Sequence, residues 1–286
     1  MIQDILPKSF HNQYQEKRIT DSAKIMSFYE GSVFCKCETA MEFLSYLELK
    51  QHYNIEETES ENMLYLFSIA EENYFLLLRE EPLAIEGYSY RIMFEIRPMK
   101  PKENVFAAAT AWHLYVWYRD NQFCGRCGEK LLHSKKQRML SCPSCKNIVF
   151  PKIAPAVIVG VINGDKILMT KYADREYKRY ALVAGFTEIG ETAEETVCRE
   201  VMEEVGLRVK NIHYYKSQPW GFDSNLLLGY FCELGDTAEI TLDEEELSVA
   251  EWIDYHDIPE DKEQLSLTRE MMTYFKIQKL KEHGEA

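Results

Sequence analysis

Residues 185–207 read GFTEIGETAEETVCREVMEEVGL. The stretch holds seven glutamates (Glu188, Glu191, Glu194, Glu195, Glu200, Glu203 and Glu204) and a single arginine, Arg199. Thr192-x-x-Glu195 is a capping box, which predicts a helix starting near residue 193. Gly206 stands where a C-terminal cap glycine belongs. Val197, Val201 and Val205 recur every four residues, a stripe that packs on a core. Glu200, Glu203 and Glu204 lie at i, i+3 and i+4 and share another face.

Carboxylates stacked in this way repel. Each exposed like-charge pair costs a few tenths of a kcal/mol, and a partly buried pair costs more. A solvated acidic face would account for a lone Glu-Glu pair. Here the helix is anchored by ALVAGFTEIGE (181–191), which runs from an apolar strand through two glycines into the cap. The economical reading is a site for hard divalent cations, Mg²⁺ or Mn²⁺, which prefer carboxylate oxygens.

Outward from this helix the chain reads as strands, a helix, more strands and a closing helix. APAVIVGVI and KILMTKY (154–162 and 166–172) flank Asn163-Gly164-Asp165, a hairpin signal. NIHYYKSQPWGF (211–222) and NLLLGYFCEL (225–234) read as strands, and LTREMMTYFKIQKLK (267–281) as a helix. The expectation for residues 151–286 is an α/β/α sandwich around a mixed sheet. Residues 1–118 read as a separate α+β module, with strands in 65–80 and 88–98 and a helix over 104–120. Cys35 and Cys37, in FCKC, are expected to be buried structural thiols.

Residues 119–150 are cysteine-rich. Cys124-x2-Cys127 and Cys142-x2-Cys145 are fourteen residues apart, the spacing of a tetrahedral structural zinc site with no position left for water. Gly125, Gly128 and Pro143 suit tight knuckle turns. Lys130, Lys135, Lys136 and Arg138 read as a solvated face.

The bulk composition limits the possible partners. With 286 residues, 46% hydrophobic, the chain can bury a sizeable core, and its net charge of -14 argues against a nucleic-acid-coating or membrane-surface protein. It leaves room for a phosphate substrate whose charge a metal neutralises. No stretch approaches 18 apolar residues and the opening MIQDILPKSFHNQYQEKR has no signal-peptide core, so a reducing cytoplasm is expected, without a membrane span.

Gly185-x5-Glu191-x7-Arg199-Glu200-Val201-x-Glu203-Glu204-x-Gly206-Leu207 resembles the Nudix box at every defined position. The resemblance implies a hydrolase of nucleoside diphosphates linked to another moiety. It implies metal ligation by Glu200, Glu203, Glu204 and the Ala184 carbonyl, a proton acceptor in Glu204 or Glu203, and a Glu191–Arg199 brace between loop and helix. Ser217-Gln218-Pro219-Trp220-Gly221-Phe222 is similar to the SQPWPFPxS motif of the NADH pyrophosphatase branch, as are the four-cysteine zinc ribbon and the extra N-terminal module.

That branch implies hydrolysis of NADH or NAD⁺ to NMN(H) and AMP by a homodimer. It implies substrate contacts from Phe150, Phe186, Gln218, Pro219, Trp220, Gly221, Phe222, Asp223, Ser224, Asn225 and Thr268, in a cleft between the Nudix and SQPW loops. Phe186 would stack on the nicotinamide and Phe150 would reach across the dimer. The match departs at Gly221, Asp223 and Asn225, and at Val249, where a late acidic ligand is usual. Glu246, in preference to Glu251, is expected to substitute. The alternatives within the family are ADP-ribose, dinucleoside polyphosphates and NAD-capped RNA 5′ ends. A non-enzymatic nucleotide sensor would be expected to carry a broken box, and this one is intact.

Overall fold

The computed structural model describes residues 1–53, 63–173 and 179–285. They divide into two compact units. One comprises Ile153–Pro219 and the chain from Asn225 onward, with Met1; the other comprises Ile2–Lys152 and Trp220–Ser224.

The C-terminal unit is built on strands β1 (Ala154–Asn163), β2 (Lys166–Tyr172), β3 (Val183–Phe186), β4 (Val209–Trp220), β5 (Asn225–Leu234) and β6 (Leu247–Asp254). Their order in the sheet is β4-β5-β1-β2-β6, with β3 also paired to β1. β1 runs parallel to β5 and antiparallel to both β2 and β3, so the sheet is mixed. The β1–β2 hairpin closes between Asn163 and Lys166, with Gly164 at φ +60°.

Helix α1 (Ala193–Val205) has both halves of its capping box: the Thr192 side chain accepts from Glu195 N–H, and the Glu195 carboxylate accepts from Thr192 N–H. Gly206 ends the helix at φ +68°, a left-handed conformation that glycine adopts without steric cost. Val197, Val201 and Val205 are fully buried against Val157, Val159, Val161 and Val183. Their opposite face is taken by α2 (Leu267–Glu282). Gly229, paired with Ile158, lies so close to this helix that a Cβ there would sit 2.8 Å from Met271 Sδ and 3.2 Å from Leu267 Cδ2. Residues of alternating parity on β1 thus face different helices, as the pleat requires. The result is the expected α/β/α sandwich, with helices on both faces of a mixed sheet.

The N-terminal unit carries a five-stranded sheet in the order Phe10–His11, Met63–Ile69, Glu72–Leu77, Lys24–Met26, Leu44–Ser45. A four-stranded sheet comprises Phe28–Tyr29, Ser32–Cys37, Met41–Glu42 and Ser89–Ile92. A long helix spans Lys102–Asp120. The strand expected over 88–98 stops at Ile92. Met93 and Ile96 are the buried residues beyond it, and their spacing of three fits the turns seen there rather than a pleat. The ribbon, with strands Leu132–His133, Leu140–Ser141 and Ile148–Val149, lies in this unit. Tyr14 donates to the Ser134 carbonyl, and Arg138 donates to the carbonyls of Asn12 and Leu66, so Arg138 is a docking residue here and not part of a solvated face. No helix among the described residues is long and apolar enough to cross a membrane.

Candidate active site

Arg199 organises the acidic face of α1. A guanidinium has five N–H donors, and each is matched by an acceptor. Nε and Nη2 grip the Glu191 carboxylate at 2.7 and 2.9 Å, and Nη2 also reaches the Phe186 carbonyl at 2.9 Å. Nη1 donates to Glu200 Oε1 at 2.8 Å and Glu203 Oε2 at 2.9 Å. The loop is therefore tied to the helix by one side chain that also holds two of the three stacked glutamates. Glu191 takes further hydrogen bonds from Glu188 N–H and the Thr196 hydroxyl, both at 3.1 Å.

Arg199 is the main reason that the Glu191 carboxyl falls to about 2 from its ordinary 4.5. A carboxylate depressed by folding stabilises the fold above its unfolded pKa and loses that contribution as pH falls through the folded value. Stability is therefore expected to decline between about pH 4.5 and pH 2 as Glu191 protonates. Urea midpoints measured across this range should fall less steeply for Glu191→Gln than for the parent chain.

Glu200 behaves oppositely. Its side chain is buried, and desolvation raises its pKa against the pull of Arg199, with Glu203 and Glu246 adding repulsion. Glu246, just before β6, thus lies within electrostatic reach of the cluster, whereas the Glu251 carboxylate accepts a short hydrogen bond from the Tyr180 hydroxyl. Val249 sits on β6 opposite Lys171. Glu204 is 3% exposed and Glu203 is largely exposed.

The cradle for Glu200 is Gly185. A Cβ at this position would lie 1.9 Å from Glu200 Cδ and 2.0 and 2.1 Å from its two oxygens. Gly185 carries no expected role of its own, although its fixed place at the head of the motif is the available signal. A buried carboxylate seated on bare backbone, with neighbouring acidic groups and no thiolate, is a donor set suited to Mg²⁺ or Mn²⁺. The carboxylate oxygens do not converge as tightly as the ribbon sulfurs: among the described residues the four cysteines form the one group of three or more ligand atoms within 4.8 Å. Arg199 Nη1 instead takes one oxygen from each of Glu200 and Glu203.

Ala184 pairs with Ile158 in the β1–β3 ladder, and Phe186, at the end of β3, is 55% exposed. Phe150, after the last ribbon strand, is 56% exposed. Both rings are available to stack. The end of β4 and the residues after it divide between the two units. Gln218 is fully buried; its amide donates to the Leu265 carbonyl and accepts from Leu267 N–H, clasping the start of α2. Thr268 is half-buried in the first turn of that helix. Pro219 is exposed, while Asn225 is 9% exposed and opens β5 beside Ala154.

In the N-terminal unit, Trp220 donates to Asp223 Oδ2 at 2.9 Å and lies 5.0 Å from the Arg97 guanidinium. The Phe222 carbonyl accepts from Trp112 Nε1. A Cβ on Gly221 would be 2.2 Å from the Ala109 carbonyl oxygen, so backbone contact dictates glycine where the related motif has proline. Ser224 holds φ +59° beyond it.

The ribbon sulfurs are ready for zinc. Cys124 Sγ lies 3.6 Å from Cys145 Sγ, and Cys127 Sγ lies 3.5 Å from Cys142 Sγ. Tetrahedral zinc with bonds of about 2.3 Å sets sulfurs about 3.8 Å apart. The Arg126 N–H draws the Cys124 thiol down to about 6, and the Cys145 N–H lowers Cys142. At Cys127 the Glu129 N–H acts the same way but is outweighed by the Cys142 and Cys145 sulfurs, which push it up to about 12. The two knuckles repeat each other, with Gly128 and Lys146 both left-handed at φ +75° and +60°. Chelation by EDTA is expected to lower the melting temperature by at least about 5 °C, the shift that a loss of some 2 kcal/mol produces at this size. Elemental analysis before and after chelation checks it.

Residues 152–275 match the family described as the NUDIX domain, and residues 119–150 match the NADH pyrophosphatase zinc ribbon domain. A region that matches the Nudix domain is thus preceded directly by one that matches this zinc ribbon. Among curated proteins it is similar to one called NAD-capped RNA hydrolase NudC from Klebsiella pneumoniae, with 41% identity over 146 residues, 51% of this chain and 56% of that one. A protein of the same name from Escherichia coli is 40% identical over the same coverage. The match spans little more than half the length of these relatives. A solved NUDIX hydrolase from Nitrosomonas europaea overlaps 57% of this chain and 94% of its own at TM-score 0.47 and 22% identity.

Proposed function

We propose that the chain hydrolyses the pyrophosphate bond of NADH and NAD⁺, giving NMN(H) and AMP. The observation that carries this reading is the Nudix helix with Glu200 cradled on Gly185 and braced by Arg199, in a chain that also bears the NADH pyrophosphatase zinc ribbon. Mg²⁺ or Mn²⁺ held by Glu200, Glu203, Glu204, Glu246 and the Ala184 carbonyl would neutralise the diphosphate and acidify water. Water adds to one phosphorus, the bridging oxygen leaves with the other half, and Glu204, assisted by Glu203, accepts the proton. Arg199 and Glu191 position the loop. Phe186 stacks on the nicotinamide, an interaction worth about 1–3 kcal/mol. Phe150 meets the other ring face from a second copy of the chain in a homodimer.

In this reading the modules are 1–118, a ribbon over 119–150 and a Nudix domain over 151–286, working in the cytoplasm. Gln218 acts by holding the start of α2, and Pro219, Trp220, Gly221, Phe222, Asp223, Ser224, Asn225 and Thr268 shape the remainder of the site. The names of the relatives favour a second substrate, an RNA whose 5′ end carries NAD. A net charge of -14 suits only a few phosphate contacts with such a chain end.

Incubation with NADH, NAD⁺, ADP-ribose and an NAD-capped RNA in the presence of Mn²⁺, with products resolved by chromatography, tests both substrates. Release of NMN(H) and AMP from the free dinucleotides is expected. Cleavage of ADP-ribose alone would overturn the assignment.

A further inference from the structure

Cys35 and Cys37 play no part in the site described above. They occupy strand Ser32–Cys37 two residues apart, so their side chains leave the same face of the pleat. Their sulfurs are 3.3 Å apart. A third sulfur joins them: Met99 Sδ lies 3.6 Å from Cys37 Sγ. The topology explains the meeting. Cys37 pairs with Met41, and Met41 N–H donates to the Lys100 carbonyl at 2.7 Å, which draws the chain at Met99 alongside the strand. Cys35 is buried, while Cys37 and Met99 are half-buried, which leaves the cluster a path to solvent.

We infer that Cys35, Cys37 and Met99 form a site for a soft monovalent metal ion, with Cu(I) as the fitting chemical class. Two thiolates and a thioether are the ligand set that selects Cu(I). Metal–sulfur bonds of about 2.3 Å in a trigonal plane separate sulfurs by about 4 Å, so Cys37 and Met99 need to spread by about 0.4 Å and Cys35 and Cys37 by about 0.7 Å. Zinc fits poorly. It takes four nitrogen, oxygen or thiolate donors, and among the described residues no third histidine, cysteine, aspartate or glutamate joins this pair. A disulfide is also a poor fit. Residues i and i+2 of a strand have Cα atoms about 6.6 Å apart, at the far end of the range of about 4.4–6.8 Å that disulfides span. On binding, each thiol releases its proton to solvent, Met99 donates a lone pair without losing one, and no electron is transferred.

The test uses the zinc-loaded full chain, titrated without oxygen with Cu(I) supplied as its bathocuproine disulfonate complex, followed by copper and zinc analysis of the desalted protein. The expected result is one copper retained per chain with the ribbon zinc still present. Cys37→Ser should lose that copper. Met99→Leu, a volume-conserving change that preserves packing, should retain the site with affinity lowered on the order of tenfold, the scale for a supporting group. Equal copper in the parent and Cys37→Ser, or copper entering only as zinc leaves, would overturn the assignment. So would a reduced protein that captures no copper and instead forms the Cys35–Cys37 disulfide under hydrogen peroxide.

Discussion

Glu204→Gln is expected to lower turnover of NADH by at least about 100-fold, the scale of losing a positioned proton acceptor, and to leave the melting temperature unchanged or slightly raised. Glutamine has nearly the same shape, and α1 is fixed by Val197, Val201 and Val205 on one side and by Arg199 on the other. Neutralising a carboxylate that is only 3% exposed and stands on a crowded acidic face removes repulsion. The two readouts separate chemistry from structure. Turnover close to that of the parent chain would strip Glu204 of its role, and a collapsed melt would assign the loss to folding.

Gly185→Ala tests the other half of the site, with no charge altered. The new methyl would meet the Glu200 carboxylate at 1.9–2.1 Å, a separation that no relaxation short of moving one of them can accommodate. Overpacking of this kind costs about 1–3 kcal/mol. Because Glu200 is the part that can move, its carboxylate should swing out of the cradle. A displacement of about 1 Å in a positioned group costs on the order of 100-fold in rate. The expected phenotype is a folded protein with weak Mn²⁺ binding by calorimetry and a similar fall in kcat. Tight Mn²⁺ binding by the variant would show that the cradle does not matter.

Short-range physics is legible in the amino-acid sequence. The start of α1 follows from Thr192 and Glu195, its end from Gly206 and its buried face from three valines, because caps and periodicity involve residues within one turn of each other. The hairpin at Gly164 and the paired cysteine knuckles are legible for the same reason. Contacts between segments far apart in sequence cannot be read in this way. A brace between Arg199 and Glu191 is expected, and Glu203 stands at i+4 from Arg199, but nothing in the neighbours of Arg199 announces that the same guanidinium also reaches the Phe186 carbonyl. Gln218 looks like part of a substrate loop, and the structure places its amide on the backbone of residues 265 and 267, more than forty positions away. Lys146 copies the left-handed turn of Gly128 although its residue type disfavours it. The strand expected over 88–98 fails beyond Ile92 because apolar residues three apart carry a turn signal that a search for alternation overlooks.

The five residues Trp220–Ser224 lie, by sequence, deep within the C-terminal half, yet they pack as part of the N-terminal unit, with Gly221 pressed on Ala109 and Phe222 bonded to Trp112. The polypeptide is thus stitched through its own boundary, and severing it after Lys152 would orphan that stitch. A fragment ending at Lys152 lacks five residues that pack in its own unit, and one beginning at Ile153 carries them without the partners they have there.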